Sequence, residues 1–320
     1  MKKIIDLHCD TITACDSEDK LFENPIFNDE CVMDYNKVPG DCRWAQCHAI
    51  FMPDEFRGES AVKFYDEIVK RYKNQMEDFS DKVSQCRSAS DIEKAWDEGK
   101  YASILTVEGG SALAGDADRV KILADDGVKM MTLVWNGDNE IASGHNTDKG
   151  FSEFGRKVVP LLEENGIIVD VSHLNDIGFN ELLEIVKKPF VATHSNARAI
   201  CSHKRNLTDD MIREMVKRDC LIGLNYYTAF ISDYEKDGVD SNCDYADMFY
   251  RHIAHFFELG AEKNLALGSD FDGATLPECL SSPAKVVEMY DYLLEKGLSE
   301  EQLDGIFYKN ALRFLHENIK

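Results

Sequence analysis

A histidine and a carboxylate two residues apart, His8 and Asp10, follow the apolar-rich run Ile4-Ile5-Asp6-Leu7. In an extended chain, residues i and i+2 project to the same side. An imidazole and a carboxylate would therefore leave the end of this strand together, and a borderline divalent ion such as zinc accepts both ligand types. Taken alone, the pair fits better a strand end whose polar residues merely face water, because two-residue motifs occur freely by accident. Four more residues of ligand type stand in the same place relative to an apolar run: Glu108 after 101–107, His173 after 167–171, His194 after 190–193 and Asp270 after 265–268. Each has a bland explanation as a solvated turn residue, but six such coincidences together are improbable. Three imidazoles and three carboxylates suffice for two divalent ions, with one carboxylate bridging. Such a pair can activate water and polarise a carbonyl or phosphoryl oxygen.

Those residues need elements that bring them to one place. Short apolar runs predict strands over 4–11, 44–51, 101–107, 128–134, 167–171, 190–193, 220–224 and 265–268. Helical periodicity fills the intervals: 59–79, 90–98 with Ser90 as the expected N-cap, 118–125, 153–164 stopped by Gly166, 176–187, 209–218 and 244–259. Before the second strand the chain reads as irregular, with turns at Asn24-Pro25 and Pro39-Gly40. Strands alternating with helices indicate an α/β protein with a parallel sheet. Eight is the number that closes a (β/α)8 TIM barrel, and near-continuous apolar strands suit a sheet covered on both faces. A doubly wound open sheet is the rival, but no Gly-x-Gly-x-x-Gly turn follows a strand. The barrel is preferred, as one domain over residues 1–320. In a barrel the C-terminal strand ends share one mouth, which would unite ligands scattered over most of the sequence.

The composition is that of a globular rather than a disordered chain. The 320 residues are 44% hydrophobic and 30% charged, with a formal net charge of -23. That charge argues against nucleic acid and against an anionic membrane surface, both of which need clustered Lys and Arg. Residues 1–6 contain no apolar signal segment, and no run has the length of a membrane span. The ten cysteines are scattered without a C-x-x-C pair, so they read as reduced thiols in a cytoplasmic protein. Cys9 lies between His8 and Asp10 and should point away from them into the core. His48 reads as a core histidine. His145, in the polar loop 137–150, reads as a solvated loop residue.

The motifs, taken together, resemble one family. His8-Cys9-Asp10, Val107-Glu108-Gly109-Gly110, Val169-Asp170-Val171-Ser172-His173, Thr193-His194-Ser195-Asn196-Ala197-Arg198, Lys204-Arg205-Asn206-Leu207 and Gly268-Ser269-Asp270-Phe271-Asp272-Gly273 are similar to those of the renal (membrane) dipeptidases. These are zinc peptidases among the amidohydrolase-like barrels, and the similarity runs from residue 5 to about residue 314. The resemblance implies two zinc ions per chain: His8 and Asp10 on one, His173 and His194 on the other, and Glu108 bridging. It makes Asp270 the acid/base partner of the attacking hydroxide. It gives Arg205 the C-terminal carboxylate of a small dipeptide, in which a D-residue at the C-terminal position is an option. The bland alternative for Arg205 is a surface basic cluster with His203 and Lys204. Asn225 and Tyr227 correspond to pocket-lining residues after strand seven.

One departure stands out. The family commonly has Thr-Leu-Thr-His after strand four, the histidine assisting the substrate carbonyl, where this chain has Thr132-Leu133-Val134-Trp135. Trp135 would therefore face substrate in place of that histidine, with His145 as the neighbour able to help. Two other readings stay open. One is another amidohydrolase-type reaction, on an N-acyl amino acid, a lactone or a phosphoester; the other is a non-catalytic metal-binding protein. The oligomeric state is also open, a homodimer being compatible.

Overall fold

The computed structural model describes residues 2–13, 15–17, 20–21, 26–233 and 239–319; the turn expected at Asn24-Pro25 lies outside them. Among the described residues, eight strands follow the predicted order: β1 (Lys3–Cys9), β2 (Arg43–Phe51), β3 (Tyr101–Glu108), β4 (Val128–Thr132), β5 (Ile168–Asp170), β6 (Val191–Ala192), β7 (Leu221–Leu224) and β8 (Leu265–Leu267). Their sheet order is β2-β1-β8-β7-β6-β5-β4-β3, with β2 also paired to β3 and a short strand Val83–Gln85 outside β3. This is a closed parallel (β/α)8 barrel with helices around it. β4 and β6 are shorter than the apolar runs that predict them. The chain divides into two compact units, Met1–Gln46 with Thr193–Phe314 and Cys47–Ala192 with Leu315–Lys320.

In the first unit, β1 pairs with β8 at Asp6 and Leu267, and β7 with β8 from Ile222 to Leu224. Asp6 is a fully buried carboxylate in the middle of an apolar strand. It accepts hydrogen bonds from the His8 amide (3.1 Å), Gln46 Nε2 (3.0 Å), the Ser269 amide (3.1 Å) and Ser269 Oγ (3.0 Å). Burial pushes its pKa up, and those donors oppose the shift. Its role is structural: it ties the ligand-bearing end of β1 to the turn after β8.

Two glycines let a backbone carbonyl into the same unit. A Cβ added at Gly223 or Gly268 would lie 2.0 or 1.8 Å from the Thr193 carbonyl oxygen, one residue before His194. That oxygen belongs to backbone and cannot swing aside. Gly268→Ala is therefore expected to cost about 3 kcal/mol or more, read as a lowered denaturation midpoint with unchanged slope. A wild-type midpoint would mean that Thr193 is not held against β8.

In the second unit the register carries straight through, with Glu108 opposite Thr132, Thr132 opposite Asp170 and Asp170 opposite Val191. Thr132 Oγ1 donates to Asp170 Oδ2 at 2.6 Å, and the Met52 amide to the Glu108 carbonyl at 2.8 Å. Helix α1 (Glu59–Asp78) buries Tyr65, Ile68, Val69 and Tyr72 of the expected apolar stripe, while Val62 and Met76 stay half-buried and Ala61 and Gln75 are buried beside it. Helix α2 spans Ala89–Asp97, and its N-cap is Ser88 rather than Ser90. The Ser88 side chain accepts from the Asp91 amide, and Ser90 falls inside the first turn. His48 is fully buried in β2, and desolvation lowers its pKa to about 3, so the imidazole is neutral.

Of the ten cysteines, nine have described side chains, and these stand as thiols. Cys9 is buried as expected, its pKa pushed well up by burial. Among the described residues, no helix is long and apolar enough to cross a membrane.

Candidate active site

The first unit gathers three of the predicted ligands. His8 Nε2 lies 3.6 Å from Asp10 Oδ2 and 3.9 Å from Asp270 Oδ1. One ligand atom from each of His8, Asp10 and Asp270 falls within 4.8 Å of the others. The His194 ring lies against that of His8, with centroids 3.9 Å apart. All four side chains are mostly buried, between 0% and 13% exposed. The ends of β1 and β8 are locked together by backbone: the Asp270 amide donates to the His8 carbonyl (3.2 Å) and the Asp10 amide to the Phe271 carbonyl (2.9 Å). Gly273 leaves the space the carboxylates use, since a Cβ there would sit 2.0 Å from Asp10 Oδ2 and 2.9 Å from Asp270 Oδ1.

Supporting polar groups set the orientation of these side chains. Thr193 Oγ1 is 2.8 Å from His194 Nδ1 and so engages that ring nitrogen. Asn225, fully buried after β7, donates from Nδ2 to Asp270 Oδ2 at 2.9 Å, and its Oδ1 accepts from the Tyr227 amide at 2.6 Å. Tyr227 is half-buried, its ring 4.8 Å from that of Phe230. Asp270 has φ +63°, a left-handed backbone that Asp tolerates better than most residues.

Arg205 is no surface charge. It is 5% exposed, with its guanidinium carbon 5.3 Å from the Phe230 ring centroid. Its neighbour His203 also packs on Phe230, at 4.6 Å. Burial and then the Arg205 charge lower the His203 pKa to about 4. The surface-cluster alternative fails on that burial.

The second unit holds the other two ligands. His173 Nε2 lies 2.8 Å from Glu108 Oε1, and His173 Nδ1 lies 3.1 Å from Asn136 Oδ1. An amide oxygen only accepts, so Nδ1 carries the hydrogen. The Nε2 lone pair then meets a carboxylate oxygen, an arrangement that needs a shared proton or a cation. His173 also has a left-handed backbone, φ +69°. Histidine and carboxylate donors, mostly buried and converging, fit divalent metal ions of the borderline class.

Around His173 the structure corrects one expectation. His145 is half-buried, its ring 5.8 Å from that of His173, rather than solvated. A backbone bridge between Gly144 and Leu174 draws the loop inward, which a polar loop composition does not reveal. Trp135 is half-buried, edge-on to Phe51 at 4.8 Å. The supporting residues Asp6, Asn136, Thr193 and Ser269 escape a search for ligand types. Only Asp6 leaves a trace in the sequence, as an acid inside an apolar strand.

The model of the membrane dipeptidase family (Peptidase family M19) matches residues 1–320. The chain belongs to that family. It is a metallopeptidase-type hydrolase, and its family is metal-dependent. Among curated relatives, an uncharacterized protein encoded in the pqqA 5′ region of Klebsiella pneumoniae is 31% identical over 72% of this chain and 87% of its own length. An uncharacterized dipeptidase of Schizosaccharomyces pombe is 32% identical over 66% of this chain. The match spans about half of the yeast protein, 52% of it. Among solved structures, a metallopeptidase from Rhodobacter sphaeroides, liganded with a phosphinate mimic of L-Ala-D-Ala, superposes with a TM-score of 0.87 at 21% identity, covering 100% of this chain and 99% of that one. That likeness identifies the same barrel for this member of the membrane dipeptidase family.

Proposed function

We propose that this chain is a cytoplasmic, zinc-dependent dipeptidase that hydrolyses small dipeptides with a C-terminal carboxylate, a D-residue at that end included. The observation that carries the reading is the convergence of His8, Asp10 and Asp270, with Asn225 fixing the orientation of Asp270. In this reading one barrel domain, residues 1–320, would hold two zinc ions, His8 and Asp10 serving one, His173 and His194 the other, and Glu108 would be shared between them. Bound there, the ions supply Lewis-acid polarisation and a water of lowered pKa.

The chain's own residues do the rest. Asp270 accepts the proton of the attacking water at the carboxylate oxygen turned away from Asn225, then delivers it to the leaving amine. Asn225 holds that carboxylate in one rotamer, and Tyr227 lines the pocket beside it. Thr193 and Asn136 each engage Nδ1 of a ligand histidine, so that Nε2 serves the site. Arg205 takes the substrate carboxylate as a bidentate pair, which a planar guanidinium suits. The Phe230 ring behind it supports that orientation.

The test combines metal analysis with a panel of L,L- and L,D-dipeptides set against N-acyl amino acids and lactones. About two zinc ions per chain with turnover confined to dipeptides supports the reading. Absence of metal, or turnover of the other classes alone, overturns it. Arg205→Met tests the carboxylate role separately. The variant is expected to lose about ten- to a hundredfold in kcat/KM on dipeptides, and far less on dipeptide amides. Equal losses on acid and amide would remove Arg205 from substrate recognition.

A further inference from the structure

We propose that Phe51 and Trp135 form an aromatic wall beside Glu108 that selects substrates carrying an aromatic or large aliphatic side chain. The proposal rests on the dipeptidase reading and specifies its substrate class. Phe51 is the last residue of β2, and Trp135 follows the end of β4 by three residues. β3 runs between those strands. On one side the Met52 amide bonds to the Glu108 carbonyl at 2.8 Å. On the other, the Gly109 and Gly110 amides bond to the Thr132 and Leu133 carbonyls, each at 3.1 Å. The two rings thus come from chains flanking β3 on both sides. They meet edge-on, 4.8 Å apart at 75°, across the strand end that carries Glu108.

Both rings are half-buried, unlike the fully buried Trp44, Tyr65 and Tyr72 of the core. The segment bearing Trp135 is built in rather than loose. A Cβ at Gly144 would stand 2.2 Å from the Trp135 carbonyl oxygen, and the Gly144 and Asn146 amides bond to the Gly137 and Asn136 carbonyls at 2.9 and 3.0 Å. Asn136, the next residue, contacts the ligand candidate His173. The indole therefore presents a fixed, uncharged face one residue from a group that touches the site. An aromatic or branched aliphatic group gains contact area there, whereas an anionic one would lose hydration against ring faces whose negative potential opposes it.

The experiment measures kcat/KM of the zinc-loaded enzyme for Phe-Ala, Ala-Phe, Ala-Ala and Ala-Asp, in the parent, Trp135→Ala, Trp135→Phe and Phe51→Ala. At least one phenylalanine dipeptide is expected to exceed Ala-Ala by about tenfold. That ratio should fall towards one in either alanine variant and survive in Trp135→Phe. An unchanged ratio in the alanine variants overturns the proposal, and Phe51→Ala decides should Trp135→Ala not fold.

A second readout does not need turnover. Of the three tryptophans, Trp44 and Trp96 are 0% and 3% exposed, so acrylamide reports chiefly on Trp135. Phe-Ala or Ala-Phe should shield this fluorescence at about one-tenth the concentration of Ala-Ala, an effect absent from Trp135→Phe. Shielding without hydrolysis of any dipeptide would sink the dipeptidase reading and leave the aromatic wall standing. Equal shielding by all four peptides, or none, would sink the wall.

Discussion

Asp270→Asn is expected to keep its metal and fold while turnover falls by about a hundred- to ten-thousandfold, the range for a removed general acid–base group. The substitution is unusually clean here. Asn, like Asp, tolerates the left-handed backbone at φ +63°. Its amide oxygen can still accept from Asn225 Nδ2, which donates to Asp270 at 2.9 Å. What disappears is the ability to accept a proton from water and return it. Metal content and melting temperature should match the parent's, and KM should change far less than kcat. A variant with turnover near the parent's would exclude Asp270 as the proton carrier, leaving it at most a ligand.

His173→Ala is expected to lower bound zinc by about one ion per chain and to abolish nearly all activity. Its imidazole is the partner that Glu108 meets at 2.8 Å, so removal takes away a ligand and leaves a buried carboxylate without that neighbour. A two-ion site that loses one member loses nucleophile activation and carbonyl polarisation together. The left-handed φ of +69° adds a second effect, since alanine gains no local hydrogen bond to support it. Asn136→Ala should be milder, shifting zinc affinity by about ten- to a hundredfold while leaving the ligand set intact. Full zinc content and activity in His173→Ala would overturn the proposed ligand assignment.

Much of this is legible because barrel strands are short, buried and apolar, so each ends visibly where polar residues take over. His8, Glu108, His173, His194 and Asp270 all lie at or within a few residues of such an end. The helix 153–164 is found as Glu153–Glu164 because Ser152 caps it and Gly166 stops it. Where local signals are ambiguous, sequence and structure differ: two serines compete at the start of α2, and Ser88 takes the cap. The burial of His145 and Arg205 depends on partners distant in sequence, which periodicity cannot report. The same holds for Asn225, whose role is defined by Asp270, 45 positions later. Left-handed φ at His173 and Asp270 leaves no trace either, since neither residue is glycine.

Asp272 has a consequence for how the chain can be made. Its carboxylate accepts from the Val32 amide (2.7 Å), the Met33 amide (3.1 Å) and Thr11 Oγ1 (2.6 Å), partners 239 to 261 positions earlier. Asp34 organises the neighbouring backbone by accepting from the Asn28, Asp29 and Asn36 amides. A ribosome synthesises from the N-terminus, so this early loop is complete long before its anchor exists. Its final docking must wait until the residues after β8 emerge, when nearly the whole polypeptide has been translated. Until then the loop lacks these three hydrogen bonds and stays open to proteases and chaperones. The strand β8 and the turn after it, Asp272 included, thus set the moment at which the earliest segment becomes native.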